Sequence, residues 1–343
     1  MKKVMIGMSG GVDSAVAALL LKEQGYEVTG ATMRLWRYSD DGKIEEAIND
    51  AKKVCNHLGI AHVVLDFEEE FKNIVVRNFT DEYINGRTPN PCIVCNKYLK
   101  FGLMYEAAMN MGMDYVATGH YARITKKDDG FHLFMSDEPG KDQSYVLYNF
   151  NQETLAHTLM PLCEYKKEEV RELAKKYNLP VSQKPESMEI CFVPDDDYKS
   201  FIRDFAGFIP EEGDMLDYQG NVIGRHKGVM NYTIGQRKGL GAYGRPMFVM
   251  NIDPSKNTVT LGEKGMEFFS SLRAKDINVI SGGKLPEKAQ AKVRYQAKPA
   301  WADIKYEGDE IVVSFSEPQR AVTPGQAVVF YDGNEVLGGG TVI

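Results

Sequence analysis

The stretch Ser9-Gly10-Gly11-Val12-Asp13-Ser14 constrains this chain more than any other, because it joins two apolar runs of different character. Before it, Val4-Met5-Ile6 reads as a short buried strand. After it, Ala15–Leu21 reads as the body of a buried helix that ends near Gly25. A Gly-Gly turn between strand and helix lets backbone N–H groups approach an anion, and the positive end of the helix dipole adds to the attraction. The loop is neither a Walker loop nor a dinucleotide turn, since neither glycine pattern is present. An ordinary tight turn with a Ser or Asp cap is the simpler alternative. Ser9 and Ser14 offer hydroxyls to a phosphate, and Asp13 suits either Mg²⁺ or the cap.

Strand-like and helix-like stretches then alternate to about residue 125. Glu27–Leu35 and His62–Phe67 are rich in β-branched and apolar residues, whereas Ile44–Leu58, Glu68–Asn85 and Lys97–Met111 carry helical spacing. Tyr115–His120 reads as a further strand ending in a Gly-His turn. The alternation predicts a mainly parallel α/β sheet with ligands at the C-terminal ends of its strands, where Ser9, Met33, Gly119 and His120 would lie. Tyr121–Ser136 reads as a hairpin turning at Asp128-Asp129-Gly130, and Lys166–Tyr177 as a helix. Beyond about residue 207, short apolar runs broken by Gly, Pro and Asp-Gly signals replace the helical period. The expected architecture is an α/β domain over 1–206, a small β-rich domain over 207–269 and a C-terminal β-barrel over 270–343.

Of the 343 residues, 43% are hydrophobic, enough for full cores, and no apolar run approaches the ~20 residues of a membrane span. With no secretory leader pattern, the expected location is cytoplasmic. The net charge of −7 argues against a globally basic nucleic-acid coat, but leaves room for local Lys/Arg patches that grip phosphates. Five cysteines over this length do not make a disulfide framework.

The cysteines form a second dense feature. In Thr88-Pro89-Asn90-Pro91-Cys92-Ile93-Val94-Cys95-Asn96, two prolines hold the approach extended. Cys95 is expected at or just before the N-terminus of the Lys97 helix, where the dipole lowers a thiol pKa. Cys191 follows far downstream in Ser187-Met188-Glu189-Ile190-Cys191-Phe192. The Cys-x-x-Cys pair admits a zinc site, a thioredoxin-like redox pair, two inert buried thiols, or sulfur-transfer chemistry. A zinc site needs four ligands, and no second Cys-x-x-Cys or His-x-x-His pair is present. Cys55 and Cys163 read as core thiols.

The Ser-Gly-Gly-x-Asp-Ser spelling resembles the pyrophosphate loop of enzymes that split ATP into AMP and pyrophosphate. Taken with Gly119-His120-Tyr121-Ala122-Arg123, Lys141-Asp142-Gln143-Ser144-Tyr145, Ile190-Cys191-Phe192 and Tyr232–Gly241, the chain resembles the tRNA-specific 2-thiouridylase family along nearly its whole length. That resemblance implies an adenine-nucleotide-hydrolase-like N-terminal domain and ATP-dependent 2-thiolation of the wobble uridine in lysine, glutamate and glutamine tRNAs. ATP adenylates the uridine O2, and a persulfide sulfur from a cysteine desulfurase or relay protein then displaces AMP. Cys191 matches the family's persulfide carrier and Cys95 its partner. Gly7, Met8, Ser9, Gly10, Gly11, Val12, Asp13, Ser14, Met33 and Gly119 match its ATP contacts, with Mg²⁺ as the accompanying ion.

For tRNA, the expected contacts are Asn90, Pro91 and Cys92 beside the base, Lys141, Asp142 and Gln143, the basic loop at Gln236-Arg237-Lys238, and the pair Arg294-Tyr295. Many family members carry Asp where this chain has Cys92. Three thiols, Cys92, Cys95 and Cys191, are therefore candidate ligands of a [4Fe–4S] cluster with one open iron, an alternative to the persulfide route. An amidating ligase of the same fold would explain the loop but not the cysteines. A non-catalytic RNA-binding or iron–sulfur protein would not need an intact loop. A monomer is the expected state.

Overall fold

The computed structural model describes residues 1–343 apart from 40, 139 and 187–189, and leaves aside the side chain of 196. The Ser187-Met188-Glu189 part of the Cys191 segment therefore lies outside the described residues. The first apolar run forms a strand, β1 (Lys3–Gly7), and the second a helix, α1 (Val12–Glu23). β1 is central in a parallel sheet of order Ala61–Asp66, Glu27–Arg34, β1, Tyr115–Ala117, Thr158–Leu159. The chain winds outward from β1 first to one side and then to the other, so the order reverses between β1 and Tyr115–Ala117. Such a reversal leaves a crevice at the strand C-termini.

Both faces of the sheet are covered, which is why β1 reads as a continuous apolar run instead of an alternating one. On one face α1 and helix Lys43–Leu58 bury Ala15, Val16, Leu19, Val54 and Cys55. On the other, Phe101, Met104 and Ala108 pack against Met5 and Val116.

The expected hairpin forms, from Ala122–Lys127 and Gly130–Met135, but its partner was not legible from sequence. Phe134 and Leu133 pair with Glu335 and Val336 of the last strand, so the hairpin extends the C-terminal sheet. That sheet closes on itself where Phe268–Val279 pairs with Glu335–Val342. A four-stranded sheet lies between the two domains in sequence, ordered Met247–Asp253, Thr258–Glu263, Gly213–Leu216, Val222–His226. Among the described residues, no helix is long and apolar enough to cross a membrane.

Candidate active site

The loop opening α1 is shaped for an anion. Gly10 takes φ +71°, and a Cβ there would lie 2.8 Å from the Ala47 carbonyl oxygen, so conformation and space both demand glycine. Gly11 starts α1 with no side-chain cap, which leaves the first N–H groups of the helix to a ligand. The Ser14 hydroxyl donates to the Gly11 carbonyl at 3.1 Å and accepts from the Ser9 N–H at 3.3 Å, bracing the turn. Gly119 ends the neighbouring strand against the start of α1, where a Cβ would come within 2.9 Å of the Asp13 and Ser14 backbone.

Neither Ser nor Asp caps the helix. Both oxygens of Asp13 accept from Lys167 Nζ, at 2.6 and 2.7 Å, and Oδ1 also accepts from the Tyr121 hydroxyl at 2.8 Å. A Mg²⁺ ion at Asp13 would compete with Lys167 for the same oxygens. Such an ion usually needs only one or two carboxylates plus substrate phosphates, so the loop suits it once Lys167 moves. Lys167 is 7% exposed and reaches Glu186 at 3.0 Å, while Glu186 also accepts from Lys141 at 2.9 Å. Hydrogen bonds from Lys141 and Lys167 hold the Glu186 carboxyl down at about 2.

A cavity of about 400 Å³ opens from this loop. Gly7, Met8, Ser9, Asp13, Ser14, Met33 and Gly119 line it, whereas Gly10, Gly11 and Val12 shape the turn from behind. Arg37, Lys43 and Lys100 add cationic side chains to the lining, so the cavity offers a triphosphate positive charge as well as backbone donors. His120 also faces it. Burial first, and then Lys100, keep His120 well below the usual histidine range, so it is neutral, with Nδ1 2.7 Å from the Thr118 hydroxyl.

Cys191 lines the same cavity. Its neighbour Phe192 anchors it, buried edge-on against Phe71 and Phe79 at 5.6 and 5.2 Å. Arg37 donates to the Cys191 carbonyl. The second cysteine differs from expectation. The helix begins at Pro91, not Lys97, with Asn90 Oδ1 accepting from the Cys92 N–H at 3.2 Å. Proline at the first helical position and Asn as cap explain the early start. Cys95 thus lies one turn inside, buried, and its predicted pKa lowering is corrected: burial pushes the thiol up. Cys191 is accessible at the rim, yet the surrounding protein, with Cys95 and Cys92 close by, pushes it up to about 12. Lys100 and Arg37 pull the other way.

The cluster expectation does not fit this arrangement. Among the described residues, no three His, Cys, Asp or Glu side chains converge closely enough to hold a metal ion, and Cys92, Cys95 and Cys191 are free. Cys55 is a buried core thiol, as expected.

The expected RNA contacts divide. Cys92 is exposed, and Tyr295 stands nearby, 39% exposed and edge-on to Tyr145 at 6.1 Å. Asn90 and Pro91 form the start of the cysteine helix. Gln143 lines the cavity, its Oε1 accepting from the Tyr121 N–H at 3.0 Å. Asp142 is corrected: it is buried and accepts from the Ser136 N–H, the Ser144 N–H and the Ser144 hydroxyl, so its carboxylate holds this turn and does not face RNA. Lys141 is tied to Glu186. Arg294 is turned inward, donating to the Ile234 carbonyl at 3.0 Å and the Thr323 hydroxyl at 2.7 Å, which ties the central domain to the barrel. Arg237 and Lys238 are exposed.

Sequence reasoning missed Lys167, Glu186, Lys100 and Gln326. Gln326 clamps the cysteine loop by donating to the Thr88 carbonyl at 2.8 Å, while the Thr88 N–H donates to the Pro324 carbonyl at 2.9 Å. Only the Lys166–Tyr177 periodicity signalled any of these, because it puts Lys167 and Arg171 on one face.

Three families match in succession: the tRNA methyl transferase HUP domain over 2–195, the tRNA methyl transferase PRC-barrel domain over 199–263, and the aminomethyltransferase beta-barrel domain over 269–342. The tRNA-specific 2-thiouridylase MnmA of Carboxydothermus hydrogenoformans is 52% identical, across 99% of this chain and 97% of that protein. Those of Clostridioides difficile and Acetivibrio thermocellus are 51% and 50% identical over 99% of this chain, and 98% and 99% of their own lengths. With identity this high along essentially its whole length, and with a pyrophosphate-type loop and Cys191 on one cavity, the chain belongs to the tRNA-specific 2-thiouridylase family.

Proposed function

We propose that this chain is an ATP-dependent tRNA sulfurtransferase that converts the wobble uridine of lysine, glutamate and glutamine tRNAs to 2-thiouridine. The observation that carries this reading is the shared cavity, in which an anion-binding loop and an accessible cysteine face the same space. A uridine carbonyl oxygen is a poor leaving group. Attack of O2 on the α-phosphorus of ATP makes it an adenylate and expels pyrophosphate, and AMP can then leave. The donors at the start of α1 and the cavity cations favour the pyrophosphate charge.

In the second step the terminal sulfur of a Cys191 persulfide attacks C2, and the C2–O bond to AMP breaks. Cys95 then attacks the Cys191 Sγ. The bond to the outer sulfur breaks, 2-thiouridine takes the electron pair, and a Cys95–Cys191 disulfide remains for an external thiol to reduce. Both thiols start protonated, Cys95 because it is buried and Cys191 because the protein and the two thiols packed around it disfavour its charge, so Lys100 and Arg37 supply the positive charge that favours deprotonation. The persulfide comes from a cysteine desulfurase or a relay protein. Cys92, Asn90, Pro91 and Tyr295 flank the entry of a base splayed from a single-stranded loop, with Gln143 further in. The chain acts as a cytoplasmic monomer.

Incubation with ATP, the three tRNAs and a persulfide donor is expected to give 2-thiouridine by mass spectrometry, with pyrophosphate release that requires tRNA. ADP formation, or pyrophosphate release indifferent to tRNA, overturns the reading. Iron and acid-labile sulfide in anaerobically purified protein test the route. Iron-free protein that thiolates supports the Cys191 persulfide, whereas about four irons per chain with activity following iron content would reinstate the cluster.

A further inference from the structure

Beside the pyrophosphate-type loop, positive charge from two parts of the chain converges on one carboxylate. Lys167 and Arg171, one turn apart on helix Lys167–Lys176, approach Glu186 Oε1 at 3.0 and 3.8 Å, and Lys141 holds the other oxygen at 2.9 Å. Lys167 also bridges to Asp13, the one acidic side chain lining the cavity among the described residues. A triphosphate entering there meets Asp13 as a like charge, and Lys167 is the cation already seated on Asp13.

We infer that Lys167 and Arg171 are the cation site for the pyrophosphate half of ATP, and that Glu186 competes with the pyrophosphate for these donors. A carboxylate offers two oxygens and a single charge. A pyrophosphate offers more acceptors and more charge to the same donors, and so displaces it. Lys167 keeps Asp13 as a partner when Glu186 is displaced, so the exchange leaves no unpaired buried charge, which would be strongly destabilising. This inference rests on the ATP-splitting reading of the site.

The test is equilibrium binding of ATP and of AMP, without tRNA, to the full chain and to Glu186→Gln, Lys167→Met and Lys167→Arg. Removing the competing anion is expected to tighten ATP severalfold in Glu186→Gln. Lys167→Met is expected to weaken ATP about tenfold or more, with partial recovery in Lys167→Arg. AMP lacks the pyrophosphate half, and its affinity is expected to stay constant across all variants. Unchanged or weakened ATP binding in Glu186→Gln overturns the inference, as does equal loss of ATP and AMP in Lys167→Met. Should Lys167→Met fail to fold by thermal melting, the isosteric Glu186→Gln decides alone. A wild-type chain that binds no ATP at all defeats the ATP-splitting reading itself, a result distinct from either outcome among the variants.

Discussion

The two working parts of the cavity are made in opposite ways. The backbone of the phosphate-facing part is nearly continuous in sequence: β1, a two-glycine turn and α1, against which Gly119 packs, with cationic side chains added around it. The sulfur-facing part draws on helix Pro91–Cys95, on Cys191 far downstream and on the barrel, whose Gln326 holds the loop before Cys92. The first is rigid because local backbone geometry dictates it. The second exists only after three regions have packed. Chemistry divides along the same line, since activation of O2 needs the first part and sulfur delivery the second.

The sharpest way to break this division is Cys191→Ser. Thiolation is expected to fall by on the order of a thousandfold or more, as when a covalent nucleophile is removed, while tRNA-dependent pyrophosphate release stays within about threefold. Mass spectrometry of the tRNA and a pyrophosphate assay read the two separately. Equal loss of both would mean that the parts are not independent. Gly119→Ala attacks the opposite part. The new methyl must push the start of α1 by several tenths of an ångström, and kcat/KM for ATP is expected to fall about a hundredfold. The rate at which iodoacetamide alkylates Cys191 should hardly change, and a large change there would show the loop steering the cysteine.

The same contrast explains what the sequence disclosed. Strand–turn–helix logic is local, so β1, α1 and the parallel sheet could be read from apolar runs and glycines. The barrel's existence was legible from turn signals, but its pairing with the Gly130–Met135 strand was not, because no local rule names the partner of an edge strand. Cys95 was placed at a helix start from the Lys97 period alone, which gave too little weight to Asn90 as cap and Pro91 as first residue. Lys167 and Glu186 look like ordinary surface charges in sequence. Only folding buries the lysine and makes the pair specific. Asp142 shows the reverse, a polar residue in a functional-looking motif that folding turns inward to hold its own loop.

Arg294 sharpens the comparison at the joint between the central domain and the barrel. Its guanidinium donates one hydrogen bond across that joint, to the Ile234 carbonyl, and a second within the barrel, to the Thr323 hydroxyl, so Arg294→Ala is expected to cost about 2 kcal/mol of stability. Weaker tRNA binding would follow from a displaced Tyr295. Chemical denaturation and titrations with tRNA and with ATP check this. Full stability with selectively lost tRNA binding would instead return Arg294 to the role of a direct RNA contact.

The smallest expected effect concerns His120, which stands where the two parts meet, beside Gly119 and close to Lys100. Burial first, and then Lys100, depress its pKa well below 6.5, so the folded chain keeps it neutral. The unfolded chain protonates it near pH 6.5. Below that pH the unfolded state binds more protons, so the stability contributed by neutral His120 is complete above about pH 6.5 and is lost as pH falls below it. His62, also lowered by burial and by Lys52, acts with the same sign. Burial works against the charge on His132, but Glu335 and Asp129 prevail and raise it; its contribution is complete below about pH 6.5 and fades as pH rises. Unfolding free energies between pH 5 and 7 should therefore climb with pH, and His120→Gln should flatten the climb without abolishing it, because His62 remains. Lys100→Met should flatten it too, by letting the His120 pKa rise toward 6.5. An unchanged slope in His120→Gln would assign the acid sensitivity to His62, and would mean that Lys100 exerts its charge on Cys95 and Cys191 without holding His120 neutral.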